Sequence, residues 1–149
     1  MHNIKAYYGG AFDPIHNGHI QTALNICKHL QLKQLYLLPC GQPVFKKGCH
    51  ASPQQRLDMI HLATKNYSSI AIDKRELTKS TPSYTIETLK QLRYETSPDQ
   101  SILFILGQDA FQSFFKWHEW ENILKYCHLM ILNRNAMKKF YPADLKLFI

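Results

Sequence analysis

The chain has 149 residues, a length that fits one domain with a sizeable hydrophobic core. Hydrophobic residues make up 45% and charged residues 19%, and no apolar run is long enough to cross a membrane, so the composition indicates a soluble globular protein and excludes a membrane-spanning one. The formal net charge of +7 comes from scattered short basic pairs, which favours a small anionic substrate over nucleic acid.

The cysteines and the chain start indicate a reducing compartment. None of the four cysteines forms a CxxC pair, and Cys27 and Cys127 lie in apolar periodic segments, where a thiol packs as a small hydrophobe. The start, Met1–Lys5, lacks the apolar segment of a signal peptide. We therefore expect a single cytoplasmic domain over residues 1–149, with no nucleic-acid partner and no membrane partner.

The first predicted elements are a strand over Ile4–Tyr8 and a helix that follows a short turn. Asn17 is a residue type favoured at helix N-caps, so we predict that the helix starts there. The apolar positions of this helix recur at helical spacing and are Ile20, Ala23, Leu24, Cys27 and Leu30.

The turn between these two elements has the composition of an anion site. Gly9 and Gly10 carry no Cβ, so the backbone can turn sharply and approach a ligand closely. Backbone N–H groups and the dipole at a helix start favour negative charge, which His16 and His19 would face. A Gly-rich turn with two solvated histidines, or a pair of metal ligands, also fits, although zinc is disfavoured because only Asp13 adds a nearby ligand.

The next segment continues the alternation of strands and helices. Leu35–Leu38 is a short apolar run that Pro39 ends, and the loop Cys40–Gly48 carries two lysines. Ser52 starts a helix as N-cap, with proline next and a capping-box glutamine, and Ile70–Ile72 is a third strand. The buried stripe of this helix is predicted as Leu57, Ile60 and Ala63.

The last third repeats the pattern. Ser83 is predicted to cap a helix, and Ile102–Leu106 is the most continuous apolar run, which favours a central strand ending at Gly107-Gln108-Asp109. The remaining predicted elements are short helices over Ala110–Phe115 and His118–Tyr126 and a fifth strand over Leu129–Leu132.

Alternating strands and helices with short connections predict an α/β fold. We expect a Rossmann-like, mostly parallel sheet of about five strands with helices on both faces and the strand order 3-2-1-4-5. The switch point between the first and fourth strands would place the Gly9-Gly10 turn and the Gly107–Asp109 turn beside one crevice.

The stretch Gly9–His19 resembles the G-G-x-F-D-P-x-H-x-G-H signature of the HxGH nucleotidylyltransferases. Within that superfamily, the segments that follow occur in the order seen in bacterial nicotinate-nucleotide adenylyltransferases, whereas pantetheine-phosphate adenylyltransferases and cytidylyltransferases share only the first motif. This resemblance extends from Tyr7 to Arg134, and the further segments are Arg56–Met59, Arg75–Leu77, Pro82–Thr85, Gly107–Asp109 and Trp117.

The resemblance implies transfer of AMP from ATP to nicotinate mononucleotide, with release of pyrophosphate, in NAD biosynthesis. It implies His16 and His19 as catalytic residues and Mg²⁺ bound with the ATP phosphates, with no metal ligand from the protein and no tightly bound organic cofactor. The implied ATP- and phosphate-binding residues are Gly9, Gly10, Phe12, Lys46 and Arg134. The implied residues for nicotinate mononucleotide are Tyr84, Thr85, Gly107, Asp109 and Trp117.

Several of these residues also fit plainer roles. Asp109 fits a helix cap, Trp117 fits ordinary core, and Lys46 fits a solvated surface lysine. Tyr84 and Thr85 fit plain residues of a helix start, although N–H groups there also suit the carboxylate of nicotinate.

The chain departs from the family pattern in two places. Phe45 stands where the family usually has a histidine, and no S/T-x-x-[IL]-R segment follows the fifth strand. We therefore expect the family's last strand and C-terminal helices to be absent, which would leave a bare edge on the fifth strand. The apolar tail, Lys138–Ile149, would then fold back over that edge or engage another copy of the chain.

Three hypotheses of function follow. The first is an adenylyltransferase, the second a non-catalytic mononucleotide-binding module of the same fold, and the third a nucleotidylyltransferase with another acceptor. Turnover in a dinucleotide-forming assay separates the first two hypotheses, and an acceptor panel tests the third.

Overall fold

The structure, a computed structural model, describes residues 3–41, 48–133 and 145–148. Strands and helices alternate along the chain as predicted, and none of the described helices is long and apolar enough to cross a bilayer. The strands are β1 (Ile4–Gly10), β2 (Leu35–Pro39), β3 (Ile70–Ile72), β4 (Ser101–Gly107), β5 (His128–Leu132) and β6 (Leu145–Phe148). The helices are α1 (Asn17–His29), α2 (Pro53–Thr64), α3 (Thr85–Glu95), α4 (Gln108–Gln112) and α5 (Trp120–Ile123), with a 3-10 turn over Phe114–Lys116.

The strand order is β3-β2-β1-β4-β5-β6, which confirms the predicted order of the first five strands. β2 runs parallel to β3, and Leu35 lies opposite Ile70. β4 runs parallel to β5, and Leu103 lies opposite His128. Parallel neighbours need long crossover connections, and α2 supplies the one between β2 and β3.

About five strands were expected, but the sheet has a sixth, which lies along the outer edge of β5. β6 pairs with β5 in the antiparallel direction, with Leu129 opposite Phe148. The prediction of a bare edge on β5 is therefore wrong, because a segment of the apolar tail supplies its backbone partners. The alternative in which the tail folds back over this edge fits the pairing, and self-association stays a prediction.

The chain forms two compact units. The N-terminal unit is Tyr8–Ser83, and the C-terminal unit combines Met1–Tyr7 with Tyr84–Ile149. Each unit has its own fully buried apolar side chains, which include Ile26, Leu37 and Ile60 in the first and Leu89, Leu92 and Ile105 in the second. One domain over residues 1–149 remains a prediction.

Two helix starts test the predicted caps. At α2 the prediction is confirmed, because Ser52 Oγ accepts the Gln55 N–H at 3.1 Å and Gln55 Oε1 accepts the Ser52 N–H at 2.9 Å. At α3 the predicted Ser83 cap is wrong: Tyr84 is the N-cap, and its side chain makes no capping bond. The Ser83 hydroxyl is instead buried, with no hydrogen-bond partner in the described part of the chain.

The buried stripe of α2 differs from the predicted one. Ile60 is fully buried, but Leu57 and Ala63 are only partly covered. Arg56 and Thr64 take their places, four residues before and after Ile60, on one face of the helix. Sequence reasoning does not expect a guanidinium in a core stripe, because burying a charge is costly unless its donors are satisfied.

The two predicted helices after β4 are shorter and shifted. The observed helices are α4 and α5, where Ala110–Phe115 and His118–Tyr126 were expected. Ser113 is the C-cap of α4, and its Oγ donates to the Ala110 carbonyl and accepts the indole N–H of Trp117. Glu119 then adopts a φ of +49°, in the left-handed region, which a continuous helix does not contain.

Candidate functional site

The loop from β1 into α1 contains a residue in an unusual backbone conformation. Phe12 has a φ of +48° although it carries a bulky side chain, and it is buried. A Cβ placed on Gly10 would lie 3.3 Å from the Phe12 ring, so the glycine gives that ring its space. Backbone strain of this kind tends to occur at functional sites, where the surrounding structure holds a residue in an unfavourable conformation.

The two histidines of the loop cap α1 reciprocally. The His16 N–H donates to Nδ1 of His19 at 3.1 Å, and the Gly18 N–H donates to Nδ1 of His16 at 3.1 Å. The N-cap is therefore His16, and the prediction of Asn17 is wrong by one residue. An imidazole Nδ1 accepts a backbone N–H as a serine or aspartate oxygen does, which sequence statistics for caps do not anticipate.

These bonds fix which nitrogen of each neutral ring carries the proton. An Nδ1 that accepts a hydrogen bond is unprotonated, so the neutral ring carries its proton on Nε2. The rings of His16 and His19 stack with centroids 3.8 Å apart. The Nε2–H groups of the two stacked rings can thus act as donors at the start of α1, where helix N–H groups also favour an anion.

His19 stays neutral at physiological pH. Burial first, and the neighbouring His16 second, lowers the pKa of His19 to about 4. The apolar wall behind it consists of Phe12, 5.0 Å away between centroids, and Tyr8, 6.2 Å away. Burial also raises the pKa of the Tyr8 phenol to about 12, so this wall carries no charge.

Asp13 fastens the same loop to the segment before α2. Its carboxylate accepts the N–H of His50 at 2.6 Å and that of Ala51 at 3.0 Å. The Ala51 bond is the main reason that the pKa of Asp13 lies below its usual value. Both oxygens serve backbone donors, and the carboxylate borders an open depression of about 650 Å³ that Asp58 and Met59 also line.

Arg56 is a site residue that sequence reasoning missed. Its guanidinium donates to the carbonyls of Ala11 at 2.9 Å, Cys40 at 2.7 Å and Gly41 at 2.7 Å. It therefore joins the loop after β1 to the end of β2, within the N-terminal unit. The available signal was its place in the Arg56–Met59 segment, which was noted only for its resemblance.

In the C-terminal unit, Gly107 is the last residue of β4 and Asp109 follows in α4, so both lie at the predicted end of the strand. Gly107 is the N-cap of α4, so Asp109 stands in the first turn of that helix rather than at its cap. The Asp109 side chain is exposed. Its assignment to a ribose stays a prediction.

Tyr84, at the start of α3, and His118, in the segment before α5, bring their aromatic rings together. The Tyr84 ring is tilted against His118 with centroids 4.9 Å apart, and His118 Nε2 lies 3.3 Å from a Glu119 carboxylate oxygen. Trp117 is half-buried and packs on Phe114 with the ring centroids 5.4 Å apart. Its indole is therefore partly core, which fits the alternative that Trp117 is an ordinary core residue. Sequence reasoning missed His118, whose one signal was its position beside Trp117.

The predicted site residues divide between the two units. The N-terminal unit brings together Gly9, Gly10, Phe12, His16 and His19, and the C-terminal unit contains Tyr84, Thr85, Gly107, Asp109 and Trp117. Lys46, Arg134 and the departure at Phe45 lie outside the described residues. Within the described ranges, no three His, Cys, Asp or Glu side chains form a group that could hold a metal ion.

Comparison with known proteins places the chain. A family model described as cytidylyltransferase-like matches residues 7–147. The "Probable nicotinate-nucleotide adenylyltransferase" of Marinomonas sp. (strain MWYL1) is 42% identical over 151 residues, which cover 99% of this chain and 68% of the relative. The chain belongs to the nicotinate-nucleotide adenylyltransferases, within the cytidylyltransferase-like family. The resemblance that the motifs predicted is confirmed.

Other relatives of this family agree. A protein of the same name from Psychromonas ingrahamii is 48% identical over 128 residues, which cover 86% of this chain and 59% of the relative. The chain thus spans 59% to 68% of the length of these two curated relatives.

Solved structures of the family share the fold. The nicotinic acid mononucleotide adenylyltransferase of Plasmodium falciparum, complexed with NaAD, superimposes with a TM-score of 0.75 at 23% identity, covering 95% of this chain and 72% of that one. A putative nicotinate-nucleotide adenylyltransferase from Vibrio parahaemolyticus gives a TM-score of 0.68 at 21% identity, covering 93% and 77%. These likenesses support the predicted Rossmann-like architecture.

Proposed function

We propose that this chain carries the site at which AMP passes from ATP to nicotinate mononucleotide, giving nicotinate adenine dinucleotide and pyrophosphate in NAD biosynthesis. The single observation that carries the proposal is the stacked pair His16 and His19, whose Nδ1 atoms both accept backbone N–H groups. The names of the relatives supply the substrates.

The paired donors suit the charge that moves in this reaction. A phosphate oxygen of the mononucleotide forms a bond to the α-phosphorus of ATP, and the bond from that phosphorus to the oxygen bridging to the β-phosphate breaks. The electron pair leaves with pyrophosphate, so negative charge grows on oxygens at the triphosphate. The Nε2–H groups of His16 and His19 stabilise that charge, and no covalent intermediate on the protein is needed.

The neutral state of His19 supports this role. A ring with a pKa of about 4 donates a hydrogen bond at pH 7 without first losing or gaining a proton. Its Nδ1 bond to the backbone holds the ring orientation, so little reorganisation accompanies the reaction.

We assign Mg²⁺ to the ATP substrate. A divalent cation bound by the triphosphate neutralises the leaving pyrophosphate. The carboxylate within the motif, Asp13, accepts backbone N–H groups at both of its oxygens, which suits it to holding the loop. Gly9, Gly10 and Phe12 approach the nucleotide in this proposal, and Lys46 and Arg134 add cationic contacts.

The acceptor half of the proposal rests on the C-terminal unit. N–H groups at the start of α3, beside Tyr84 and Thr85, suit the nicotinate carboxylate. Trp117 stacks on the pyridine ring through the part of its indole that is open, and Asp109 accepts hydrogen bonds from a ribose with Gly107 beside it.

The test is chemical detection of both products. The 149-residue chain is incubated with ATP, Mg²⁺ and nicotinate mononucleotide, and the dinucleotide and pyrophosphate are separated and quantified. The control is the double variant His16→Ala with His19→Ala, which reveals turnover by a contaminant. Equal amounts of dinucleotide and pyrophosphate from the wild type alone support the proposal. Mononucleotide binding without any product favours the non-catalytic module, and product only with another acceptor favours the third hypothesis.

A further inference from the structure

Arg56 is the largest of the fully buried side chains, and it is charged. It lies on the buried face of α2 with Ile60 and Thr64. A charged group in such a position needs partners for its donors, and an uncharged methionine would fill the same stripe at lower cost. Its presence therefore calls for an account beyond core packing.

All of its hydrogen bonds go to backbone carbonyls at two loop junctions. One Nη atom donates to Ala11, which lies between Gly10 and Phe12 in the histidine motif, and also to Cys40. The other Nη atom donates to Gly41. The Cys40 N–H also donates to the Gly10 carbonyl at 2.9 Å. The end of β1 and the end of β2 are therefore joined both by this backbone bond and by Arg56. The planar fork of a guanidinium spans these carbonyls, whereas the point charge of an ammonium does not.

The charge of Arg56 has no ion-pair partner among the carboxylates that the structure describes. Its guanidinium meets carbonyl dipoles, and its buried Nε–H has no acceptor among the residues that the structure describes. The charge of Arg56 is one of the causes that lower the pKa of the Asp13 carboxyl. The hydrogen bonds of Asp13, however, go to the N–H groups of His50 and Ala51 and not to Arg56. A positive charge that is bonded to carbonyl dipoles, in a poorly hydrated place, extends its field to the loop that it contacts.

We propose that Arg56 is a positioning residue of the phosphate site, whose fork fixes the Ala11 peptide against the end of β2 and whose positive charge favours the triphosphate. This role rests on the function proposed above. The Ala11 peptide lies directly before Phe12, which packs on His19, so a shift of the peptide moves the wall behind the donor. Arg56 itself touches neither the substrate nor the reacting atoms.

The test compares Arg56→Lys and Arg56→Met with the wild type. The lysine variant keeps the charge and loses the fork, and the methionine variant loses both. The matched control is Lys65→Met, at the exposed C-cap of the same helix, which removes one charge without touching the loops. ATP binding and nicotinate mononucleotide binding are measured separately by calorimetry, on samples whose folded fraction is known from circular dichroism and thermal unfolding.

We expect Arg56→Met to weaken ATP binding about tenfold, with a smaller effect of salt on the remaining affinity, and to leave mononucleotide binding unchanged. Arg56→Lys should keep most of the ATP affinity and its salt dependence but lower kcat about 10²-fold, because the loop is no longer held in place. The control should match the wild type in both measurements.

A purely structural role gives a different result. If both variants melt earlier but their folded fraction binds ATP and turns over as the wild type does, the role of Arg56 is overturned while the proposed function stands. If Arg56→Met is unfolded at 25 °C, the kcat and ATP affinity of Arg56→Lys decide in the same way. If the wild type itself does not bind ATP, the proposed function fails and the role of Arg56 fails with it.

Discussion

The ring of Phe12 lies edge-on to the imidazole of His19, with the centroids 5.0 Å apart and the planes at 75°. Phe12 reaches this position from a left-handed backbone conformation, and Gly10 leaves space for its ring. The phenylalanine of the motif thus acts on His19 by excluding water from its imidazole.

The first prediction concerns that contact. Phe12→Leu removes part of the wall, so water reaches His19 and its pKa should rise from about 4 toward the ordinary value of 6.5. NMR titration of the histidine ring protons measures this directly. Phe115→Leu, at an exposed phenylalanine of the C-terminal unit, is the control and should leave the His19 titration unchanged. An unchanged pKa in Phe12→Leu would show that other groups desolvate His19.

The second prediction is the effect of His19 on stability as pH changes. The folded-state pKa of about 4 lies below the ordinary 6.5, so between these values the unfolded chain binds more protons. The contribution of His19 is therefore fully present above pH 6.5 and is lost as pH falls toward 4.

Urea unfolding of the wild type and of His19→Gln at several pH values tests this. Glutamine keeps a capping-box acceptor at this helix position but does not titrate. The difference in unfolding free energy between the two proteins should shrink or reverse as pH falls from 6.5 to 4. A difference that is constant over this range contradicts the pKa assigned to His19.

The third prediction separates the two nitrogens of His16. Asparagine places its oxygen near the Nδ1 position and keeps the cap, whereas glutamine places its amide N–H₂ near the Nε2 position and loses the cap. We expect His16→Asn to keep wild-type stability. Its kcat should fall by an amount that corresponds to a loss of about 3 kcal/mol of transition-state stabilisation, with little change in mononucleotide affinity.

The glutamine variant should show the opposite balance. His16→Gln should retain more turnover than His16→Asn and lose about 1 kcal/mol of stability through the missing cap. Steady-state kinetics and urea unfolding measure the two effects, and His61→Asn, at an exposed position on α2, serves as the control. Equal turnover of all three variants and the wild type would remove His16 from the mechanism.

The fourth prediction uses two glycines on either side of the loop after β2. A Cβ on Gly41 would collide with the Glu76 carbonyl oxygen, so the backbone has to shift, whereas a Cβ on Gly48 has no atom of the described residues within 4 Å. Gly41→Ala should therefore lower the unfolding free energy by about 1–3 kcal/mol, and Gly48→Ala should leave it within about 0.5 kcal/mol of the wild type. Equal stability of the two variants in urea would show that the Gly41 contact gives way freely.

The fifth prediction is a preference for the acid over the amide mononucleotide. The start of α3 offers backbone N–H groups beside Tyr84, which favour a carboxylate over a neutral amide. The measurement is kcat/KM for nicotinate and nicotinamide mononucleotide at the same ATP concentration, and the acid should give the higher value. Equal values would remove the basis for assigning a nicotinate carboxylate to this helix start.

The sequence by itself determined the fold class, the order of the first five strands and the family. These follow from patterns that are local: short apolar runs, helical spacing, and the contiguous stretch Gly9–His19. Where the local pattern was ambiguous, boundaries moved by a residue, as at Asn17 and Ser83. A histidine caps a helix only when its ring reaches the backbone N–H, and that is a matter of geometry.

Tertiary structure alone decided the position and partners of Arg56, the contact of Gly41 with Glu76, and the pairing of β6 with β5. Each joins residues that are distant in the sequence; Arg56 and Ala11, for example, are 45 residues apart. The spacing of apolar residues predicts that one face of a helix is buried. It does not predict which side chain on that face will donate to backbone carbonyls, as Arg56 does. The free energy of burying Arg56 depends on those acceptors, and they come together only when the loops after β1 and β2 have folded.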